Sequence, residues 1–133
     1  MPHRPLLPDG WPRPPGFSHG IDAEPGRTIF IAGQIGRDPG GEVAPDFTDQ
    51  FEKALANIIA VVATAGGRPD HICRLTMYCT DKAAYLAATP NFGDVWRRTL
   101  GKHYPTISLL FIADLVQPGA QIEIEAVAVI PED

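Results

Sequence analysis

Apolar residues recur every three or four positions between residues 46 and 65, and this spacing is the strongest structural signal in the chain. Asp46 can cap the start of a helix, and Gly66-Gly67 can end it in a left-handed turn. The pattern predicts an amphipathic helix over 46–65 that covers one side of a core. Its buried face would carry Phe47, Phe51, Ala54, Leu55, Ile58 and Val62.

Shorter runs of β-branched and aromatic residues predict strands. The predicted strands are a short one beginning within 17–21, then 28–32 (ending at Gly33-Gln34), 72–80, 106–113 and 121–130. The remaining helices are a short one from Asp81 to Ala88 and a second main helix over 91–100. The order is roughly ββ-α-β-α-ββ. This order predicts one α+β domain, spanning 1–133, with two main helices packed on one face of a mixed sheet.

The last predicted strand has two different faces. One face is wholly apolar and is expected to pack on the helices: Ile122, Ile124, Ala126, Ala128 and Ile130. The other face places Val127 and Val129 beside Glu123 and Glu125, which is not the pattern of a face fully in water. Because the helices are needed on the opposite side, we expect a second chain to cover this face.

Composition narrows the class of protein. With 133 residues, 44% hydrophobic and 20% charged, the chain has the profile of a single soluble domain. A net charge of −5 argues against nucleic acid as a partner, since such binding needs a basic surface. No apolar run approaches the ~20 residues of a membrane span. Six prolines within 1–16 predict an extended arm in place of a signal peptide, so we expect a cytoplasmic protein without a membrane partner.

The cysteines and histidines do not form a recognisable reactive site. Cys73 and Cys79 lie on one predicted strand, about 20 Å apart at ~3.3 Å per residue, and are expected to be small, half-buried hydrophobic side chains. The histidines are scattered without metal-ligand spacing, so no metal is expected.

Several motifs, in order along nearly the whole chain, resemble the RidA/YjgF/UK114 (Rid) family. They are Gly16-Phe17-Ser18-His19, Ile31-Ala32-Gly33-Gln34-Ile35, the helix motif within 50–58, Pro105-Thr106-Ile107-Ser108, and the run over 122–128. The resemblance implies a chorismate-mutase-like α+β fold. It also implies a homotrimer with ligand clefts between subunits. For deaminating members it implies hydrolysis of enamines or imines to a carbonyl compound and ammonia, without a cofactor.

The chain departs from the family where a substrate carboxylate would bind. Ile107 stands where deaminating members use an arginine, whose paired donors match a carboxylate. Phe17 replaces a tyrosine and Ala32 replaces a serine, so the implied cleft is less polar. These changes predict a substrate other than an ordinary 2-imino acid; drift of an unused cleft is the alternative.

The resemblance assigns one catalytic candidate, Glu123, which would hold and activate water. The substrate-binding candidates are Phe17, His19, Ala32, Gly33, Gln34, Asn91, Tyr104, Thr106, Ile107 and Ser108. Three of these residues have a structural alternative to a functional role. Glu123 could be an interface carboxylate, His19 a surface residue and Tyr104 a core residue. Asn91 lies within about one residue of the family's cleft-lining asparagine, so the two positions do not correspond directly. A displaced cation could come from Arg74, Arg97 or Arg98, although solvated arginines are common.

Two functions follow from these residues. The first is an enamine/imine deaminase of the Rid type, and the second is a non-catalytic trimer that binds or senses a small metabolite in the same cleft. A nuclease, an activity attributed to some relatives, is disfavoured by the acidic balance and the lack of a basic stripe.

Overall fold

The computed structural model describes residues 3–132, which form a four-stranded sheet with helices on one face and a separate two-stranded ribbon. The strands are β1 Arg4–Leu6, β2 Gly20–Asp22, β3 Gly26–Ile35, β4 Ile72–Cys79, β5 Thr106–Phe111 and β6 Ile122–Pro131. The helices are α1 Phe47–Thr64, α2 Lys82–Ala88 and α3 Phe92–Thr99, with 3₁₀ turns at Pro69–His71 and Thr89–Asn91. No helix in this described range is long and apolar enough to cross a membrane.

The main sheet has the strand order β3-β6-β4-β5. The central strand β6 is antiparallel to both β3 and β4, whereas β4 and β5 are parallel. A parallel pair needs a long crossover, which α2 and α3 provide. The predicted mixed sheet with two main helices on one face is therefore confirmed, and β5 is left as an edge strand.

Helix α1 has the predicted ends and the predicted buried face. The Asp46 carboxylate accepts a hydrogen bond from the Asp49 N–H at 3.3 Å, and Gly66 ends the helix with φ of +87°. All six predicted apolar side chains are buried against the sheet. The apolar pattern did not predict that Gln50 is also buried. Its amide donates to the carbonyls of Ala44 and Gly119, and thereby ties the helix to the loop before β6.

Two segments differ from the prediction. The strand expected over 28–32 continues through Gly33-Gln34 to Ile35, because pairing with β6 resumes after a register shift between Ile31 and Gln34. The predicted N-terminal arm contains a short strand, β1, paired with β2. His3 holds this arm on the sheet: its Nε2 donates to the Val129 carbonyl at 2.8 Å, and its Nδ1 accepts from the Glu24 N–H. Residues 1–2 of the arm lie outside the described range.

The cysteines are unpaired small side chains, as the sequence indicated, but only one of the two is half-buried as expected. Both thiols are free; Cys73 is half-buried and Cys79 is buried. Burial raises the pKa of Cys79 to about 11 and raises that of Cys73 as well. Both side chains are therefore neutral thiols in the apolar interior and are poor nucleophiles.

Candidate functional site

A groove of about 560 Å³ opens on the helix side of the sheet, between edge strand β5 and helices α2 and α3. Three of the predicted cleft residues, Phe17, Tyr104 and Ile107, meet there. The rest of the wall is almost entirely apolar or aromatic. Its members include Phe51, Met77, Tyr85, Phe92, Trp96, Leu109 and Ile122. A groove of this kind suits a ligand with an apolar body.

The aromatic wall is held in place by contacts among its own rings. The Phe92 ring lies 4.7 Å from that of Phe51 and 5.3 Å from that of Tyr85, measured between centroids. The Trp96 ring is parallel to that of Tyr104 at 6.3 Å, and its Nε1 donates to the His103 carbonyl at 2.9 Å. These distances are typical of favourable aromatic pairs. The wall is therefore preorganised by α3 and by the segment before β5.

Few polar groups reach this groove. Burial raises the pKa of the Tyr85 phenol, so its hydroxyl is a neutral donor at ordinary pH. Arg97 lies at the rim, but its guanidinium is ion-paired with the Asp94 carboxylate. Position 107 itself adds only an aliphatic side chain. The groove consequently offers hydroxyls and apolar surface, and no free cation of its own.

A second cavity, of about 310 Å³, lies beside the groove at the start of β5. Its wall consists of Phe17, Ser18, His19, Arg74, Thr106, Ile107 and Ser108. Phe17 and Ile107 line both cavities, so the two spaces are neighbours. The Ser18 N–H donates to the Pro105 carbonyl at 3.1 Å and fixes the segment that carries Phe17 and His19 against β5.

The catalytic candidate Glu123 lies on the sheet face that carries no helix. A Cβ added at Gly33 would come within 2.7 Å of the Glu123 Cδ, so only glycine leaves room for this carboxylate. The neighbouring Glu125 accepts a hydrogen bond from the Tyr78 hydroxyl at 2.7 Å, which raises the pKa of Tyr78. Within residues 3–132, Glu123 has no side-chain hydrogen bond. Of the two carboxylates, Glu123 is the one available to a ligand or water.

One chain does not bring Glu123 to the groove. The register pairs Glu123 with Tyr78, and Ile107 with Leu75, so the two residues are two strands and three positions apart. At ~4.8 Å per strand and ~3.3 Å per residue this is roughly 14 Å, and the side chains lie on opposite faces. The predicted site is thus divided into two groups. Ala32, Gly33 and Gln34 lie near Glu123, and Gln34 donates to the Ala32 carbonyl at 3.1 Å.

Asn91 lies in neither cavity, and its amide donates to the Thr48 hydroxyl at 3.1 Å. Sequence reasoning did not identify Tyr85 or Leu109 as part of the groove. Phe92 and Trp96 lie on α3, where their spacing of four places them side by side. Their half-buried aromatic rings pack against the core on one side and line the groove on the other.

Three of the four histidines are buried away from the groove. His71 accepts a hydrogen bond from the Arg68 N–H at 2.9 Å, and the His103 Nε2 donates to the Ile72 carbonyl at 2.6 Å. Burial lowers the pKa of both imidazoles. Only His19 reaches the smaller cavity. In the described range no group of three His, Cys, Asp or Glu side chains could hold a metal ion.

Fold, motifs and groove together define a known class of protein. The model of the family described as Endoribonuclease L-PSP matches residues 13–130. The chain therefore belongs to this family, which is the RidA/YjgF (Rid) family, and the resemblance seen in the motifs is confirmed.

The relatives agree with this assignment. The reactive intermediate deaminase family protein TdcF of Escherichia coli strain K12 is 34% identical over 117 residues, covering 85% of each chain. The 2-iminobutanoate/2-iminopropanoate deaminase of Capra hircus is 30% identical over 105 residues, covering 77% of this chain and 73% of its own.

Solved structures show the same fold. The Rid-family protein YyfB of Yersinia pestis superimposes with a TM-score of 0.84 at 32% identity, covering 98% of this chain and 100% of its own. E. coli TdcF with bound serine gives a TM-score of 0.69 at 31% identity, covering 89% and 94% respectively. The predicted family fold is confirmed.

Proposed function

We propose that the protein is a Rid-type deaminase that hydrolyses an imine or enamine to a carbonyl compound and ammonia. The observation that carries the proposal is the preorganised groove lined by Phe17, Tyr104 and Ile107. The relatives named as a reactive intermediate deaminase and as a 2-iminobutanoate/2-iminopropanoate deaminase support the reaction class.

The substrate would be larger and more apolar than 2-iminobutanoate or 2-iminopropanoate. Ile107 has no donor for a carboxylate, and a charged group buried there without a partner would cost several kcal/mol, so any carboxylate of the substrate would lie away from Ile107. The aromatic wall of Phe17, Tyr85 and Trp96 instead favours a flat or bulky apolar body.

The active assembly would be a homotrimer. Phe30 is 80% exposed on the open sheet face, beside Val127 in the register, and such a side chain is expected to be covered by another copy. A neighbouring copy would also supply the missing carboxylate, because Glu123 cannot reach the groove of its own chain. Each cleft would then combine the groove of one chain with Glu123 of the partner subunit.

The chemistry needs only water and proton transfer. Glu123 of the partner subunit would take a proton from water as the water oxygen attacks the carbon of the C=N bond. That proton would pass to the nitrogen to give a carbinolamine. The proton of the new hydroxyl would follow to the nitrogen through Glu123 as the C–N bond breaks, so that ammonia leaves and the oxygen becomes the carbonyl. Tyr85 lines the groove, and its neutral hydroxyl would donate a hydrogen bond to the substrate there.

The test is turnover of freshly generated imines by the wild type and two matched variants. An amino-acid oxidase would supply imines of phenylalanine and of 2-aminobutyrate, and ammonia and carbonyl product would be followed. We expect faster hydrolysis of the phenylalanine imine, and a loss of roughly 100-fold for Glu123→Gln. Glu125→Gln is the control, since that carboxylate is already bonded to Tyr78.

Two results would contradict the proposal. Full activity of Glu123→Gln would exclude this carboxylate as the base. Binding of aromatic compounds in the groove with no turnover of any imine would favour the alternative, a trimer that binds or senses a metabolite without catalysis.

A further inference from the structure

The smaller cavity contains an arginine that the proposed mechanism does not use. Arg74 is exposed on β4, opposite Thr106 of β5 and Val127 of β6. It therefore lies on the open face of the sheet and lines the cavity together with His19 and Ser108. Among residues 3–132, no aspartate or glutamate lines this cavity.

The donors of this cavity fall into two sets. The Thr106 hydroxyl donates to the Cys73 carbonyl at 2.7 Å, and the Ser18 hydroxyl donates to the Tyr104 carbonyl at 2.5 Å, so both are already used. Within residues 3–132, the side chains of Arg74, His19 and Ser108 make no hydrogen bond. Three unused donor groups thus line one small cavity.

The ring of His19 is fixed in this position. It packs edge-on against Trp11 at 4.9 Å and against Phe17 at 5.4 Å, measured between ring centroids. A positioned imidazole beside a guanidinium and a hydroxyl is suited to bind an oxyanion, because each group can donate to it.

Arg74 differs from the other two arginines considered as replacements for the missing cation. Arg97 is paired with Asp94. Arg98 donates twice to Glu52, at 2.8 and 3.0 Å. Within the described part of the chain, Arg74 forms no ion pair. A free guanidinium keeps its planar pair of donors available for a carboxylate.

We propose that Arg74, with His19 and Ser108, binds the anionic group of the ligand whose apolar body fills the groove. The ligand class is an amphipathic anion, in which an aromatic or branched body carries a carboxylate. Phe17 and Ile107 line both cavities, so a ligand can extend past them from one space into the other. The location of the body rests on the proposed function.

The test compares three compounds by calorimetric titration of the native oligomer. Phenylpyruvate has body and anion, phenylacetone has the body alone, and pyruvate has the anion with almost no body. We expect phenylpyruvate to bind more tightly than either of the others. Arg74→Gln should weaken phenylpyruvate roughly tenfold or more and change phenylacetone less than about twofold. Arg98→Gln is the matched control and should change neither, since Arg98 is bonded to Glu52 and lines neither cavity.

Two further measurements keep the outcome decisive. Arg74→Lys retains the charge without the paired donors and should lose only part of the affinity. Sedimentation of each variant reports whether the assembly is intact. An intact Arg74→Gln oligomer that binds phenylpyruvate as the wild type does would overturn the proposal. The proposal would also be overturned if Arg74→Gln dissociated while Arg74→Lys stayed intact and kept full affinity in high salt. Arg74 would then be an interface residue.

Failure of this inference is separable from failure of the proposed function. Binding of phenylpyruvate that depends on Arg74, without any imine turnover, would exclude the deaminase and leave the anion contact standing. Turnover that depends on Glu123, together with phenylpyruvate binding that is unchanged in Arg74→Gln, would support the deaminase and exclude the anion contact.

Discussion

The two faces of the main sheet belong to the same strands, but they differ in how far the rest of the chain covers them. On the helix face, Ile122, Ile124 and Ala128 of β6 are each no more than 1% exposed, covered by α1. On the open face, the alternate residues of β6 remain only half-buried, and Phe30 of the neighbouring β3 is 80% exposed. One face forms a complete core, and the other leaves apolar side chains exposed.

This difference bears on function, because the two halves of the candidate site lie on opposite faces. The aromatic groove belongs to the helix face and is complete within one chain. Glu123 and Arg74 belong to the open face, where exposure leaves them available to ligand or to a second copy. Folding alone therefore prepares the apolar half, and we infer that association supplies the rest.

The largest effect is expected from a charge placed on the open face of the sheet, at Phe30 of strand β3. Phe30→Glu should convert the proposed trimer to a monomer at micromolar concentration, because equivalent carboxylates would be buried against one another without partners. Sedimentation measures this directly, and imine turnover should disappear with the trimer. Val116→Glu is the control, since Val116 is also fully exposed but lies in the loop before β6. An unchanged Phe30→Glu assembly would show that this face is not the interface.

Two truncations in β6 compare the faces within one strand. Ile124→Ala should lower the free energy of unfolding by about 2–5 kcal/mol at every protein concentration, because it opens a cavity in the finished core. Val127→Ala should cost less, and its cost should depend on concentration because it weakens association. Chemical denaturation at two concentrations separates these effects. Equal, concentration-independent losses would contradict the comparison.

A smaller gain is expected from restoring a cation at the boundary of the two cavities. Ile107→Arg should raise kcat/KM for 2-iminobutanoate roughly tenfold, because a guanidinium there can pair with the carboxylate. Ile107→Gln, similar in size but uncharged, is the control. If both variants gave the same rate, the missing charge would not explain the expected preference of the wild type.

The smallest effect is a loss of stability in acid. The folded-state pKa values of His71 and His103 lie below the ordinary value, because burial disfavours the charged imidazole. The unfolded chain therefore binds more protons below about pH 6.5. The stability that the two neutral imidazoles contribute is fully present above that pH. It is lost as the pH falls towards their lowered folded-state pKa values.

The measurement is the melting temperature between pH 8 and pH 5. His103→Gln should flatten the decline relative to the wild type. Because these histidines are buried within a single chain, the decline should not depend on protein concentration. A His103→Gln variant with the wild-type pH dependence would contradict this assignment.

Much of the fold could be read from local patterns. The periodicity of α1, its Asp46 cap and its Gly66 stop are short-range features, and each is present as predicted. The alternation in β6 correctly separated a buried face from a half-buried one. These predictions succeed because a side chain's direction follows from the period of its own element.

Long-range pairing was harder to read. The extension of β3 through Gly33-Gln34 depends on a partner strand that lies some ninety residues away in the chain. Gln50 is buried because three backbone groups from two other loops satisfy its amide, and no pattern within the helix signals this. Such features need the partner's position, which the local sequence does not contain.

For the candidate site, the sequence by itself determined the family and the apolar character of Phe17, Ala32 and Ile107. Only the tertiary structure decided that Tyr85 joins the groove, that Glu123 lies on the opposite face, and that Arg74 is free beside His19. The physical reason is that chemical identity is fixed residue by residue, whereas proximity depends on strand order and register across the whole sheet.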